Sequence, residues 1–154
     1  HTAVFVSPEW VQLDMGVIPE EQALAQMCSR LPERLRQPAA LCMENWHRYC
    51  MWPIEGAGDV VREYKEKGYG IYLCSIDCFD GVLFSAEVKC MKPQKEMYLH
   101  LFERFGLRPE ECYFIDDQPL NIEGARNCGM DGFCHRDGSA ATLKKALEKA
   151  LGSF

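Results

Sequence analysis

From Pro53 onward the chain alternates short apolar runs with amphipathic stretches, and three of those stretches close on a glycine. Asp59 to Lys67 stops at Gly68, Gln94 to Phe105 at Gly106, and Pro119 to Cys128 at Gly129. Glycine is the favoured residue just past a helix end, because it enters the left-handed region without a steric penalty. Between these helices lie Tyr69–Cys74, Val82–Phe84, Cys112–Ile115 and Gly132–Cys134. Each is short, apolar and bounded by turn residues, the pattern of a buried strand. Ser139 to Leu151, rich in Ala, Leu and Lys, predicts a terminal helix. Strands separated by helices run parallel and are joined by right-handed crossovers. The predicted fold class is therefore α/β with a parallel sheet.

Residues 1–53 are of another kind. They hold Trp10, Trp46 and Trp52 and carry helical signals without a convincing strand. Pro19-Glu20-Glu21 opens a helix, since proline suits the first turn and acids complement the helix dipole. Ala23, Leu24, Met27 and Leu31 give it an apolar face. A second helix is predicted from near Pro38 to about Tyr49, with Leu41, Trp46 and Tyr49 among its apolar residues. The three tryptophans fit a small core better than a binding surface.

The chemistry concentrates where strands end. Phe114-Ile115-Asp116-Asp117 delivers two adjacent carboxylates at a strand's C-terminal end, followed by the turn Gln118-Pro119. Neighbouring carboxylates repel unless a cation sits between them. In open α/β sheets ligands bind beyond the carboxyl ends of the strands. Paired carboxylates suit Mg²⁺, which takes oxygen ligands and keeps water. Ser75 ends the strand 69–74, and Lys92 precedes the helix that begins at Gln94. A hydroxyl, an ammonium and a carboxylate pair together can hold a phosphoryl group and its metal. Taken singly, each has an ordinary structural use as a turn residue, a solvated lysine or a helix N-cap.

Several classes are disfavoured. Lys plus Arg is 17 against 23 Asp plus Glu, a net charge of −6, with no basic block to bind nucleic acid. No apolar run reaches the ~18 residues of a membrane span. The nine cysteines are odd in number and scattered, without a C-x-x-C pair, which predicts a reduced, cytoplasmic protein. His47 and Cys50 lack the usual zinc-ligand spacings.

The order Leu73-Cys74-Ser75, then Val88-Lys89-Cys90-Met91-Lys92-Pro93, then Phe114-Ile115-Asp116-Asp117 with Asn121 and Gly124-Ala125 resembles the haloacid dehalogenase superfamily. The stretch from Lys92 to Met130 is similar to its phosphatase-like members. Residues 1–53 resemble the helical cap that this family inserts after its first strand. The resemblance implies a three-layer Rossmann-like core over 54–154 and a small α-helical cap over 1–53. It implies Mg²⁺ as cofactor and a small phosphorylated substrate, with no nucleic-acid or membrane partner. Position by position, it implies that Ser75 hydrogen-bonds the phosphoryl group and that Lys92 pairs with nucleophile and phosphate. Asp116 matches the metal ligand, Asp117 its partner, and Asn121 the residue that orients the turn.

Two departures stand out. The family's first motif, an apolar run followed by Asp-x-Asp or Asp-x-Gly, has no counterpart here. Asp14 is the only early acid after an apolar run, and its context matches the cap. The nucleophile is therefore unassigned. The family also has a helical stretch between Ser75 and Phe-Asp-Gly, whereas here Ile76-Asp77-Cys78 leads straight into Phe79-Asp80-Gly81. A crossover needs about a dozen residues. The expectation is that the natural polypeptide carries further residues at both places, with a break in space between Ser75 and Phe79. The expected function is Mg²⁺-dependent phosphomonoester hydrolysis through an aspartyl-phosphate. The alternatives are a non-catalytic binding relative and a carbon–halogen hydrolase, the latter having no use for paired acids.

Overall fold

A computed structural model of the chain describes residues 3–49, 52–73 and 80–152. It divides into two compact units: His1–Trp52 with Ser85–Cys90, and Pro53–Phe84 with Met91–Phe154. The short segment 85–90 thus joins the helical first unit, although the sequence places it within the core region.

The first unit contains helices α1 (Pro8–Asp14), α2 (Glu20–Ser29), α3 (Glu33–Tyr49) and the single turn α5 (Ser85–Val88). Ser7 caps α1, its hydroxyl accepting from Trp10 N–H at 3.2 Å. Val4, Ala23, Met27, Ala39 and Met43 form the core. Arg30, just past α2, grips Glu9 of α1 through two hydrogen bonds of 2.6 and 2.5 Å. Helix α3 starts five residues earlier than predicted and carries Pro38 in its interior. Proline forgoes one backbone hydrogen bond there. Ala39 and Met43, packed into the core, outweigh that loss. The face expected from Leu41 and Trp46 is not the buried one, since these are 52% and 38% exposed. Trp10 packs edge-on against Phe5 and Trp46, whereas Trp52 is exposed. Lys89 donates to the Gly16 carbonyl at 2.6 Å.

The second unit contains α4 (Ala57–Glu66), β1 (Tyr72–Leu73), β2 (Gly81–Val82), α6 (Lys95–Phe105), β3 (Tyr113–Asp116), α7 (Pro119–Asn127), β4 (Asp131–Cys134) and α8 (Ala140–Leu151). Gly68, Gly106 and Gly129 follow α4, α6 and α7 with φ of 89°, 62° and 93°, as the helix-closing pattern predicts. Alternation along β3 makes the layers. Tyr113 packs with Val60 and Tyr64 of α4 and Leu143 and Leu147 of α8. Phe114, its neighbour, packs with Tyr98 and Phe102 of α6 and Ala125 of α7. Successive strand residues point to opposite faces, so the strands lie between two helical layers. A fully buried side chain such as Met97 or Leu83, each 1% exposed, contributes about 2 kcal/mol.

The strands pair in parallel, but as two separate pairs. β3 and β4 share a four-residue register from Tyr113↔Asp131 to Asp116↔Cys134. β1 and β2 share only Tyr72↔Gly81 and Leu73↔Val82. The strand predicted over 69–74 is described only at Tyr72–Leu73, where it has a partner. Residues 74–80 alone separate β1 from β2, fewer than the dozen or so of an ordinary parallel crossover. The predicted break between Ser75 and Phe79 lies outside the described residues.

A cavity of about 570 Å³ lies beside β1 and β3. Residues 69–73 and 111–115 line it, with α4 and α8, while no residue of β2 or β4 does. It therefore meets the edges of β1 and β3 that have no strand partner among the described residues. Tyr64, 3% exposed, is among its lining residues, and its buried hydroxyl finds no hydrogen-bond partner among the described residues.

Candidate active site

The site is assembled at the C-terminal end of β3. The parallel ladder with β4 continues into a bond from His135 N–H to the Asp116 carbonyl at 2.8 Å, which holds the strand end in place. The chain then turns through Asp117 and Gln118 into α7, with Pro119 at the helix start where its missing N–H costs nothing. This strand–turn–helix path brings two donors onto one carboxylate, and Lys92, ahead of α6, supplies a third.

Asp116, its side chain 5% exposed, receives all three. Lys92 Nζ donates to Oδ2 at 2.6 Å. Gln118 N–H and Asn121 Nδ2 both donate to Oδ1 at 2.9 Å. Burial alone raises the Asp116 carboxyl. The hydrogen bonds from Lys92, Gln118 and Asn121 outweigh it and leave the group below its ordinary value, ionised at neutral pH. Lys92 Nζ also lies 5.6 Å over the Phe114 ring, so one aromatic side chain supports both members of the ion pair. Lys92 lines the cavity beside β1 and β3 as well.

Asp117 is exposed, with Oδ2 accepting from Gln118 Nε2 at 3.1 Å. Its backbone carbonyl lies 3.5 Å from Cys134 Sγ. Among the sequence-predicted residues, Lys92, Asp116 and Asn121 are in direct contact, and Asp117 adjoins them in the chain. Ser75 lies outside the described residues, as does Cys50. Asp14 closes α1 in the first unit.

The donor set suits a hard divalent cation. Mg²⁺ commonly takes one or two carboxylates and completes its shell with water and phosphate oxygens. Among the described residues Oδ2 of Asp116 carries a single hydrogen bond, and Asp117, the next residue, offers an exposed carboxylate. Among the described residues no group of three or more His, Cys, Asp or Glu is placed to hold a metal by protein ligands alone.

Two further groups belong to the site by geometry and escape a reading of residue types, and the geometry also gives the reason for Gly124, which the family resemblance includes. The Gln118 backbone N–H acts irrespective of its side chain. The Tyr98 hydroxyl donates to the Asn121 carbonyl at 2.7 Å. Gly124 is needed because a Cβ there would stand 2.8 Å from the Pro93 carbonyl oxygen and 2.9 Å from the Tyr98 hydroxyl.

Known proteins share this arrangement of sequence and fold. A family model for haloacid dehalogenase-like hydrolases matches residues 49–129, more than half of the chain. A sesquiterpene phosphatase of Aspergillus oryzae is 26% identical over 95% of this chain and 81% of its own length. A flavin mononucleotide hydrolase of Arabidopsis thaliana is 41% identical over 36% of the chain, but only 22% of its own length. A fructose-1-phosphate phosphatase of Escherichia coli is 36% identical over 34% of the chain and 28% of its length. A HAD-like family hydrolase from Porphyromonas gingivalis superposes with a TM-score of 0.70 at 20% identity, over 97% of this chain and 82% of that one. A HAD family enzyme from Bacteroides thetaiotaomicron, in complex with magnesium and inorganic phosphate, superposes with a TM-score of 0.61 at 18% identity, over 83% and 74%.

Proposed function

The chain belongs to the haloacid dehalogenase-like hydrolases, and from that premise we propose that it serves Mg²⁺-dependent hydrolysis of small phosphomonoesters. The observation that carries this is the buried Asp116 carboxylate, held ionised by Lys92 and Asn121 at the end of β3. Relatives named for a sesquiterpene phosphate, a flavin nucleotide and a sugar phosphate support the phosphomonoester class. The Bacteroides complex with magnesium and phosphate supports the metal.

In this proposal Asp116 and Asp117 hold Mg²⁺. Once bound, the metal neutralises charge on the phosphoryl oxygens. Lys92 keeps the Asp116 carboxylate oriented and adds positive charge on the substrate side. Ser75 donates its hydroxyl to a phosphoryl oxygen. Asn121 and the Gln118 N–H fix Oδ1 and leave Oδ2 to face the ligand. The attacking carboxylate comes from a further strand, outside the 154 residues, seated between β1 and β3. The apolar cavity there favours such an occupant. Residues 1–53 act as a cap that excludes water from the reaction.

A non-catalytic binding role is the alternative, favoured by the absence of a first-motif aspartate from the sequence. Hydrolysis of p-nitrophenyl phosphate by the full-length polypeptide, with and without Mg²⁺, separates the two. Activity that depends on Mg²⁺ and falls at least about a hundredfold in Asp116→Asn is the expected result. Activity untouched by that substitution rules out the metal role of Asp116. Phosphate-ester binding without turnover favours the alternative.

A further inference from the structure

We infer that Tyr98 is a positioning residue for the Asp116 site, acting through the backbone of Asn121; the metal-binding arm of this inference rests on the function proposed above. Tyr98 is 1% exposed and sits on α6, outside the strand-end cluster that holds the carboxylates. Its hydroxyl reaches across to α7 and donates to the Asn121 carbonyl at 2.7 Å. That carbonyl already has a place in the α7 backbone ladder, and its second lone pair is free for the phenol.

Every donor to Asp116 comes from a segment that Tyr98 or its neighbour Gly124 pins. Gln118 N–H and Asn121 Nδ2 lie on the first turn of α7, the turn the hydroxyl anchors. Lys92 precedes Pro93, whose carbonyl oxygen presses on Gly124 so closely that a Cβ would stand at 2.8 Å. The Tyr98 ring packs edge-on against Phe114 at 5.6 Å and 84°, two residues before Asp116 on β3. One side chain therefore touches the strand that carries the carboxylate and the helix turn that orients it. A phenol buried for packing alone would need only some acceptor. This one takes the carbonyl of the residue whose side chain holds Oδ1.

The test is a double-mutant cycle on the whole chain with Tyr98→Phe and Asn121→Ala, each checked by its melting curve to be folded. Mg²⁺ alone is the probe, its affinity measured by calorimetry. Hydrogen exchange of the Asn121 side-chain amide, read by NMR, gives a second arm that needs no metal. Tyr98→Phe is expected to weaken Mg²⁺ binding about fivefold, the weight of one net hydrogen bond. It should also speed exchange of the Asn121 amide, and have no further effect on Mg²⁺ affinity when Asn121 is already alanine. An equal loss of affinity in both backgrounds overturns the inference, because Tyr98 would then act through packing rather than through Asn121. An unchanged exchange rate overturns it as well. If the unmodified chain binds no Mg²⁺, the proposed metal role fails, and the amide exchange alone decides the part assigned to Tyr98.

Discussion

Tyr98 and Tyr64 are both helical, both buried and both in the second unit, yet their hydroxyls have opposite fates. Tyr98 finds the Asn121 carbonyl at 2.7 Å, while Tyr64 finds no partner. The first belongs to the half built on β3 and β4, which share four residue pairs. The second belongs to the half built on α4 and β1, where β1 has only two pairs with β2. Buried hydroxyls are normally bonded, so the two sites differ in how well their polar groups are met among the described residues. The contrast teaches that the β3–β4 half holds the better-paired strands and the polar site. It contains a strand, its crossover helix α7, the return strand and the polar site they position. Among the described residues β1 has the shorter pairing, and the edges of β1 and β3 along the cavity have no strand partner.

The comparison can be broken most directly through two strand glycines. Gly132→Ala places a Cβ 2.5 Å from the Phe114 carbonyl oxygen, a backbone obstacle inside the β3–β4 ladder. A loss of about 3 kcal/mol in chemical denaturation is expected. Gly81→Ala on β2 meets the Phe105 ring, a side chain that can move. Its loss should stay near 1 kcal/mol. Equal losses would mean that the two strand pairs are equally rigid.

Asp116→Asn comes next. It weakens the acceptor of three donors and should cost about 2 kcal/mol at neutral pH. The folded Asp116 sits below its ordinary value, so its contribution is fully present above that value. It is lost as pH falls through the depressed folded value. Denaturation across an acid series should show wild type and Asp116→Asn converging at low pH. A gap that stays constant to the acid end would show that charge plays no part. The smallest effects sharpen the tyrosine contrast itself. Tyr98→Phe should cost about 1 kcal/mol, whereas Tyr64→Phe should be neutral or slightly stabilising, since it removes a hydroxyl that lacks a partner. A clear loss at Tyr64 would mean that its hydroxyl is satisfied in solution.

Much of this was legible in the sequence where the physics is local. The closures at Gly68, Gly106 and Gly129 follow from backbone conformation at single residues, and all three hold. The strand-end placement of Asp116 followed from residue order, and the resemblance pointed to Asn121 as the residue that orients the turn, whereas the ion pair of Lys92 with Asp116 itself was not foreseen. The start of α3 did not, because Ala39 and Met43 packing against α2 overrides the local signal of Pro38. Helix α5 has only four residues, too few for a period to show. The part played by Tyr98 and the packing reason for Gly124 were hidden on another ground. Their importance depends on how closely α6 and α7 approach, which no spacing within either helix reveals. The extent of the strand at 69–74 depends on its partners, and only its paired residues are described as strand.

Among the described residues, the edges of β1 and β3 without a strand partner also bear on how these 154 residues behave in concentrated solution when the proposed further strand is not there. A strand edge beside an apolar hollow is a template for any extended chain that drifts past. Short strands offer it few contacts, so capture by another molecule should be weak singly and cooperative in number. Turbidity that rises steeply with concentration, seeded from residues 69–73 rather than from the helical unit, is the colloidal signature of such a half-filled sheet.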